Sequence, residues 1–410
     1  MLDIQYNKTI LQNGLTIVSE KIPSTKALSI GVWIKSGSRQ ENPNLNGVAH
    51  FIEHMLFKGT EKRSARDIAY SLESVGGYLN AFTGKEQTCY FADVLADQLP
   101  KAVDVLSDML CHSIFSEKEI EKERKIILEE IDSVEDTPDE LIQDIFVEKL
   151  FINHSLGYPI LGSKQSISHI TREQMIEFYR NNYVNPNTVV AAAGHINHQQ
   201  LVDLCESKFH LPTKCERTYD KPTQNHGYGR YYLHRPVNQT HICMGTSALS
   251  YNHYRRYELL ILNTILGSGM GSRLFQNIRE KYGIAYSIYS FVDFFTDNGL
   301  MAIYLGTDNN TMQKALNLVK KEFDKLQKRP ISKKELNRVK SQLKGNLILG
   351  FDNISRRMSR LAKMEIYLQT FHDIDHTIEE INKVTQESVF DLVNLLFKDD
   401  RMLQVAFLPK

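Results

Sequence analysis

The stretch GVAHFIEHMLFKGT, residues 47–60, carries the strongest pattern in this 410-residue sequence. It contains two histidines four positions apart, His50 and His54, with Glu53 between them. On a helix, residues three and four apart share one face, so these three side chains are predicted to point the same way. Two neutral imidazoles at this spacing are typical zinc ligands, and the carboxylate is placed to act as a general base. The alternative is an amphipathic helix with two exposed histidines and a solvated glutamate.

The order of the motif, His-x-x-Glu-His, is the reverse of the commoner His-Glu-x-x-His arrangement of metalloproteases. Catalytic zinc usually has three protein ligands and one open position, so a third ligand must come from elsewhere in the chain. The segment 117–148 is dense in carboxylates and supplies candidates. A solvated helix face is the alternative for that segment.

The motif and its surroundings resemble the pitrilysin-type M16 peptidases, and within them the mitochondrial processing peptidase branch. Those proteins carry the third zinc ligand 76 residues after the second histidine, and here that position is Glu130 (54 + 76 = 130). They also carry a supporting glutamate seven residues before that ligand, which corresponds to Glu123. The resemblance covers essentially the whole chain and implies one Zn²⁺ per chain, held by His50, His54 and Glu130. It assigns the catalytic carboxylates to Glu53, as general base, and to Glu123, which would steady a ligand or the base.

A second copy of the same plan is predicted in the C-terminal half. Similar helical patterns begin at Ser116 and Ser332, and each follows another helix and an alternating, strand-like segment. We therefore predict an α+β fold of two similar domains, each a mainly antiparallel sheet with helices packed on one face. The predicted boundaries are 1–212 for a zinc-binding catalytic domain, 213–229 for a polar linker, and 230–410 for a homologous domain that contributes substrate-binding groups.

The second copy lacks the metal-binding residues. The helices that begin at Ser116 and Ser332 are offset by 216 positions (332 − 116), which places Asn346 opposite Glu130. The segment that corresponds to HFIEH reads LLILN, residues 259–263, and contains no pair of ligands. One half is therefore predicted to carry the metal chemistry.

Two groups of residues in the first half match substrate-binding positions of the family. Asn80, Ala81 and Phe82 lie in a segment similar to the family's edge strand, which binds peptides by strand addition. An ordinary hairpin strand is the alternative. Glu140 and Asp144 match carboxylates that receive an arginine near the scissile bond in the processing peptidases.

In the second half, Arg279 and Tyr286 match a family pair that contacts the substrate from the opposing half of the enzyme. Relatives with four joined domains close a chamber around the zinc site. A chain of 410 residues supplies two such domains, so a homodimer is predicted. The predicted function is a zinc-dependent endopeptidase for short or unfolded peptides, with arginine near the cleavage site. The alternative is a non-catalytic peptide-binding or structural subunit of the same fold, whose usual signature is a damaged metal motif.

Composition limits which partners and which cellular compartment the sequence predicts. The 49 basic and 49 acidic residues balance, so neither nucleic acid nor a membrane is predicted as a partner. The five cysteines have no framework spacing, which favours a reducing compartment. The N-terminal residues contain no apolar signal segment, so a bacterial-type cytoplasm is predicted. The mitochondrial matrix is the alternative if a transit peptide has been removed.

Overall fold

The computed structural model describes residues 5–214 and 226–410. Residues 215–225 of the predicted linker at 213–229 lie outside the described residues. The strands are β1 (Gln5–Ile10), β2 (Thr16–Lys21), β3 (Ala27–Ile34), β4 (Tyr78–Thr83), β5 (Thr88–Leu95), β6 (Thr188–Gly194), β7 (Gly229–Arg235), β8 (Thr240–Ala248), β9 (Ala285–Phe294), β10 (Gly299–Thr307) and β11 (Leu403–Pro409). The α-helices are α1 (Val48–Leu56), α2 (Ala65–Glu73), α3 (Leu99–His112), α4 (Glu117–Glu135), α5 (Pro138–Leu150), α6 (Lys164–His169), α7 (Arg172–Asn182), α8 (His198–Lys208), α9 (Arg256–Leu266), α10 (Met312–Lys328), α11 (Lys333–Gly350), α12 (Ile354–Leu368), α13 (Ile374–Lys383) and α14 (Gln386–Leu396).

The strands form two sheets with the same topology. The first sheet has the order β1-β2-β6-β3-β5-β4, and the second has the order β7-β11-β8-β10-β9. One pair in each sheet is parallel, β2 with β6 and β7 with β11, and the remaining pairs are antiparallel. When β1 is set aside, both sheets place their own strands in the order first, fifth, second, fourth, third. The predicted duplication of a mainly antiparallel α+β domain is therefore confirmed.

The first sheet is covered on both faces. Strand β3 is almost entirely buried, because alternate side chains point to opposite faces and both faces are packed. On one face, Leu28 and Ile30 join the large core built with helices that include α1 and α3. On the other face, Trp33 packs with Met358 of α12. The prediction of helices on one face is thus incomplete, because α12 covers the second face.

The second sheet has the same arrangement. One face packs against a core that includes residues of α9, α10 and α14. The other face is covered by α5, through buried residues such as Ile142 and Phe146. Helices α5 and α12 begin 216 positions apart (354 − 138), the offset of the repeat, so they are equivalent helices.

The two compact units differ from two continuous halves. Among the described residues, the first unit contains residues up to 132, 158–214 and 350–371, and the second contains 133–157, 226–349 and 372–410. The predicted boundaries, 1–212 and 230–410, do not include two crossings of the chain. Residues 133–157 belong to the second unit, and residues 350–371 belong to the first. The reason is physical: the sequence of a helix reveals an apolar face, but it does not reveal which sheet that face will cover.

Across residues 5–214 and 226–410, no helix has the length and apolar character needed to cross a bilayer.

Candidate metal centre

Helix α1 carries the two histidines and Glu53 on its more exposed side. Its opposite side packs into the core of the first unit through Val48, Phe51, Ile52 and Met55. His50, Glu53 and His54 are half-buried. The ring centroids of the two histidines are 4.6 Å apart. The helical period thus places two imidazole rings and one carboxylate on the same side of α1.

A buried carboxylate holds the N-terminus of α1. Glu41 accepts hydrogen bonds from the backbone N–H groups of Gly47 and Ala49, each at 2.8 Å. The side-chain amide of Asn46 donates another at 2.8 Å. Burial raises the pKa of Glu41 to about 8, and the N–H groups of Ala49 and Gly47 oppose this rise. The three hydrogen bonds that Glu41 accepts anchor the turn that contains His50.

Helix α4 supplies both glutamates that the family resemblance assigned. Glu123 and Glu130 are seven residues apart, nearly two turns, and therefore face the same way. Ile120, Ile127 and Ile131 are buried and fix the orientation of the helix against the core of the first unit. The side chain of Glu123 is buried, whereas that of Glu130 is 41% exposed.

His50, His54 and Glu130 form a cluster with the dimensions of a metal site. One oxygen of Glu130 lies 3.8 Å from Nε2 of His50 and 3.7 Å from Nε2 of His54. One ligand atom from each of the three residues lies within 4.8 Å of the other two. Tetrahedral zinc with bonds of about 2.0–2.1 Å separates its ligand atoms by about 3.3–3.4 Å. The donor set of two imidazoles and one carboxylate therefore fits zinc after a small inward movement.

His54 is oriented by the buried Glu123. Nδ1 of His54 lies 3.1 Å from Oε2 of Glu123, whose other oxygen lies 2.8 Å from Nζ of Lys58. A carboxylate accepts hydrogen bonds, so Nδ1 of His54 carries the proton and Nε2 presents its lone pair toward Glu130. His50 has no equivalent support: its Nδ1 is buried and has no hydrogen-bond partner among the described residues.

Burial determines the electrostatics of the cluster. It lowers the pKa of His50 to about 3, with a smaller contribution from His54, so the His50 ring is neutral and able to bind a metal. Burial also raises the pKa of Glu53 above its usual value, and a hydrogen bond from Thr83 opposes that rise. The hydroxyl of Thr83 donates to Oε2 of Glu53 at 2.5 Å. Glu53 thus has the basicity and the fixed position of a proton acceptor.

The predicted substrate strand is an edge of the first sheet. Asn80, Ala81 and Phe82 lie on β4, which pairs with β5 and occupies the end of the strand order. Asn80 and Phe82 are exposed. The ring of Phe82 packs edge-on against Trp33, with centroids 5.4 Å apart. Among the strands that the structure describes, none pairs with the outer side of β4, and Thr83, which donates to Glu53, ends the same strand.

The other predicted substrate residues belong to the second unit. Glu140 is exposed and Asp144 is half-buried, and both lie on α5 rather than on the helix of Glu130. Arg279 lies within the π-helical segment Phe275–Glu280, and Tyr286 lies on β9, where it is 77% exposed. Arg279 and Tyr286 line a shared cavity of about 480 Å³. The cluster of His50 and its neighbours lies in the first unit, so the predicted residues divide between the two units.

Three residues of the centre were not predicted from sequence. Lys58 had only the signal of its nearness to His54 in the sequence, four residues away. Thr83 is the last residue of the segment predicted as the substrate strand, but nothing in the sequence connects it to Glu53. Glu41 lies in a loop, and its role depends entirely on packing.

The chain matches known families along most of its length. Residues 16–164 match the family described as Insulinase (Peptidase family M16), and residues 169–343 match the Peptidase M16 inactive domain. The fold is similar to that of a protease from Helicobacter pylori, with a TM-score of 0.92 and 22% identity over 99% of this chain and 100% of that chain. It is also similar to a chain of Complex III2 from Candida albicans, with a TM-score of 0.86 and 20% identity over 98% of this chain and 95% of that one. These two likenesses show a shared fold.

Several curated relatives share more sequence identity with this chain than the two solved structures do. The chain is 38% identical to "Uncharacterized zinc protease YmxG" of Bacillus subtilis, over 96% of both proteins. It is 33% identical to a protein of Rickettsia felis named "Uncharacterized zinc protease", over 96% of this chain and 95% of that protein. Full-length similarity to these zinc proteases, together with the two family matches, shows that the chain belongs to the M16 family of peptidases.

Proposed function

We propose that this chain is a zinc endopeptidase that binds one Zn²⁺ through His50, His54 and Glu130. The observation that carries the proposal is the convergence of these three side chains, with ligand atoms within 4.8 Å of one another, beside the half-buried carboxylate of Glu53. Zinc bound there would polarise a peptide carbonyl and acidify water. Membership of a family with zinc-protease relatives supports this assignment.

The residues around the metal have separate roles in the proposed reaction. Glu53 accepts a proton from water as the water oxygen bonds to the peptide carbonyl carbon, and it returns that proton to the amine nitrogen as the C–N bond breaks. Thr83 holds one oxygen of the Glu53 carboxylate throughout. Glu123 receives the Nδ1 proton of His54 and keeps Nε2 of that ring available. In this proposal the edge of β4 binds the substrate backbone in extended form, a binding mode that short or unfolded peptides can adopt.

The test combines zinc content with peptide cleavage. The purified wild-type protein should contain one zinc per chain and cleave an unfolded peptide, and chelation should abolish cleavage. Glu53→Gln should retain the zinc but lose activity by several orders of magnitude, because the substitution removes the base and leaves every ligand. His54→Ala should lose the zinc itself. Substantial cleavage by Glu53→Gln would overturn the assigned role of Glu53.

The alternative function is a non-catalytic subunit that binds peptides or supports an assembly. The fold similarity to a chain of Complex III2 of Candida albicans is the observation behind this alternative, and that similarity concerns the fold alone. The same experiment separates the two functions. Wild-type protein that binds peptide but neither retains zinc nor cleaves would favour the non-catalytic function.

We also propose that Glu140 and Asp144 select substrates with arginine near the cleaved bond. They lie four residues apart on α5, so they share one side of that helix and can pair with a guanidinium group. Each charge-assisted hydrogen bond contributes about 1.5–3 kcal/mol. Glu140→Gln combined with Asp144→Asn should lower kcat/KM far more for an arginine-containing peptide than for its alanine analogue. Equal losses on both peptides would contradict this selectivity.

Finally, we propose that the active form is a homodimer. The metal ligands lie in the first unit, whereas Arg279 and Tyr286 line an open cavity of the second unit. In a two-fold dimer, the second unit of one protomer can face the metal centre of its partner. A closed chamber of this kind would admit peptides and exclude folded proteins.

A further inference from the structure

Lys58 makes a contact that the proposed mechanism does not use. It follows α1 at its C-terminal end, two positions after Leu56. Its ammonium group lies 2.8 Å from Oε1 of Glu123. The other oxygen of Glu123, Oε2, faces Nδ1 of His54 at 3.1 Å. Lys58, Glu123 and His54 therefore form a continuous chain of polar contacts that ends at a proposed zinc ligand.

The ion pair between Lys58 and Glu123 matters because the carboxylate of Glu123 is buried. The side chain of Glu123 is 4% exposed, whereas that of Lys58 is 28% exposed and reaches solvent. A carboxylate removed from water is strongly destabilised unless opposite charge and hydrogen bonds replace its hydration. Within residues 5–214 and 226–410, Lys58 is the only lysine or arginine that forms an ion pair with Glu123.

The two carboxylate oxygens of Glu123 contact different partners. Oε2 is directed at His54, and Oε1 is directed at Lys58. An ion pair on Oε1 limits rotation of the carboxylate and so keeps Oε2 opposite the imidazole. Without the ammonium group, the carboxylate can turn toward other donors, and the ring of His54 loses the contact that holds its Nε2 toward Glu130.

We propose that Lys58 is a positioning residue for the metal centre: it neutralises the buried Glu123 and holds it in the orientation that presents Nε2 of His54 to zinc. This inference rests on the proposed function, because it concerns the same zinc site. The ordinary alternative is a surface lysine whose contact with Glu123 has no effect on metal binding. These two possibilities predict different zinc affinities.

The experiment measures the zinc affinity of purified, metal-depleted protein by competition with a chelator of known affinity, without any substrate. Lys58→Met retains the aliphatic stem but removes the charge, and it should weaken zinc binding by about 10–100-fold, the usual effect of losing support for a ligand. Lys58→Arg retains the charge and should stay close to the wild type. Lys62→Met is the matched control, since Lys62 is exposed, lies four residues further along the chain and has no ion pair among the described residues.

A double variant separates charge from packing. Glu123→Gln removes the buried charge while keeping a side-chain oxygen that can accept from Nδ1 of His54. If Lys58 acts by neutralising Glu123, Lys58→Met should cost much less zinc affinity in the Glu123→Gln background than in the wild type. An equal cost in both backgrounds would overturn the proposal, because Lys58 would then act independently of Glu123.

The remaining outcomes are also decisive. Wild-type zinc affinity in Lys58→Met, with unchanged thermal stability of the metal-free protein, would overturn this inference and leave the proposed function intact. Absence of zinc binding by the wild-type protein would overturn the proposed function and this inference together.

Discussion

At the scale of single residues, the properties of Glu53 depend on a side chain from another element. Glu53 lies on α1, and the hydroxyl that donates to its carboxylate belongs to Thr83, the last residue of β4. Burial is the main cause that raises the pKa of Glu53, the charge of Glu130 adds to it, and the hydrogen bond from Thr83 opposes it. Thr83 therefore holds the carboxylate of the proposed general base and moderates the rise in its pKa.

We predict that Thr83→Val lowers kcat and leaves zinc content unchanged. Valine has nearly the same shape and suits a strand, so the substitution removes the hydroxyl with little effect on β4. The hydroxyl lowers the pKa of Glu53 but fixes one oxygen of its carboxylate, so loss of that fixed position should lower the rate by about 10–100-fold. Steady-state kinetics on an unfolded peptide measures the effect.

Thr83→Ser serves as the control for this prediction. Serine keeps the hydroxyl and should restore most of the rate. A Thr83→Val variant with the wild-type kcat would show that Glu53 does not need this donor.

At the scale of elements, the close packing of α12 on the first sheet depends on one glycine. A Cβ at Gly31 would lie 2.7 Å from Sδ of Met358 and 2.8 Å from Nε1 of Trp33. The indole N–H of Trp33 also donates to the sulfur of Met358 at 3.3 Å. Gly31 therefore leaves the space that the side chains of Met358 and Trp33 occupy between the helix and the sheet.

We predict that Gly31→Ala lowers the free energy of unfolding by about 1–3 kcal/mol, the usual cost of overpacking a core. Trp33 is the only tryptophan of the chain and is fully buried, so its fluorescence reports the displacement of α12 directly. Chemical denaturation followed by this fluorescence gives both the stability and the environment of the ring.

Gly345→Ala provides a matched control within a helix. A Cβ at Gly345 would meet no atom within 4 Å, and Gly345 lies inside α11. Alanine there should be neutral or stabilising by about 0.5–1 kcal/mol, because it favours the helix. Gly31→Ala with wild-type stability and fluorescence would contradict the tight packing of α12.

At the scale of the whole molecule, the functional residues are divided between two units. The cluster of His50, His54 and Glu130 lies in the first unit. Arg279 and Tyr286 lie in the second unit beside their cavity. Division of this kind allows one protomer to complete the site of another.

We predict that two inactive variants restore activity when they are mixed. One carries Glu53→Gln, and the other carries Arg279→Ala with Tyr286→Ala. If the sites are shared, each mixed dimer keeps one site with an intact base and intact partner groups. Random exchange of subunits should then recover about a quarter of the wild-type activity. The assay follows peptide cleavage after exchange between differently tagged chains.

The necessary controls are inactivity of both parents and proof of exchange by recovery of dimers that carry both tags. Mixed dimers without activity would rule out a shared site. A monomeric protein with full activity would rule out the dimer itself.

The local features of this protein could be predicted from its sequence. The helical period places His50, Glu53 and His54 on one side of α1, since that relation depends only on spacing along a helix. The repeated pattern of strands and helices predicts two similar α+β domains, because each pattern reflects burial on one side of an element. Glu130 was assigned only through family resemblance, since no local rule connects residues 76 positions apart (130 − 54).

The tertiary structure alone decided the remaining features. It directs Thr83 to Glu53 and Lys58 to Glu123, because these contacts arise where separate elements pack together. It also exchanges α5 and α12 between the two units. The sequence of an amphipathic helix specifies that an apolar face must be buried, but several apolar surfaces of one chain can satisfy that need. The choice among them depends on the shape of the assembled sheets, to which residues far apart in the chain contribute together.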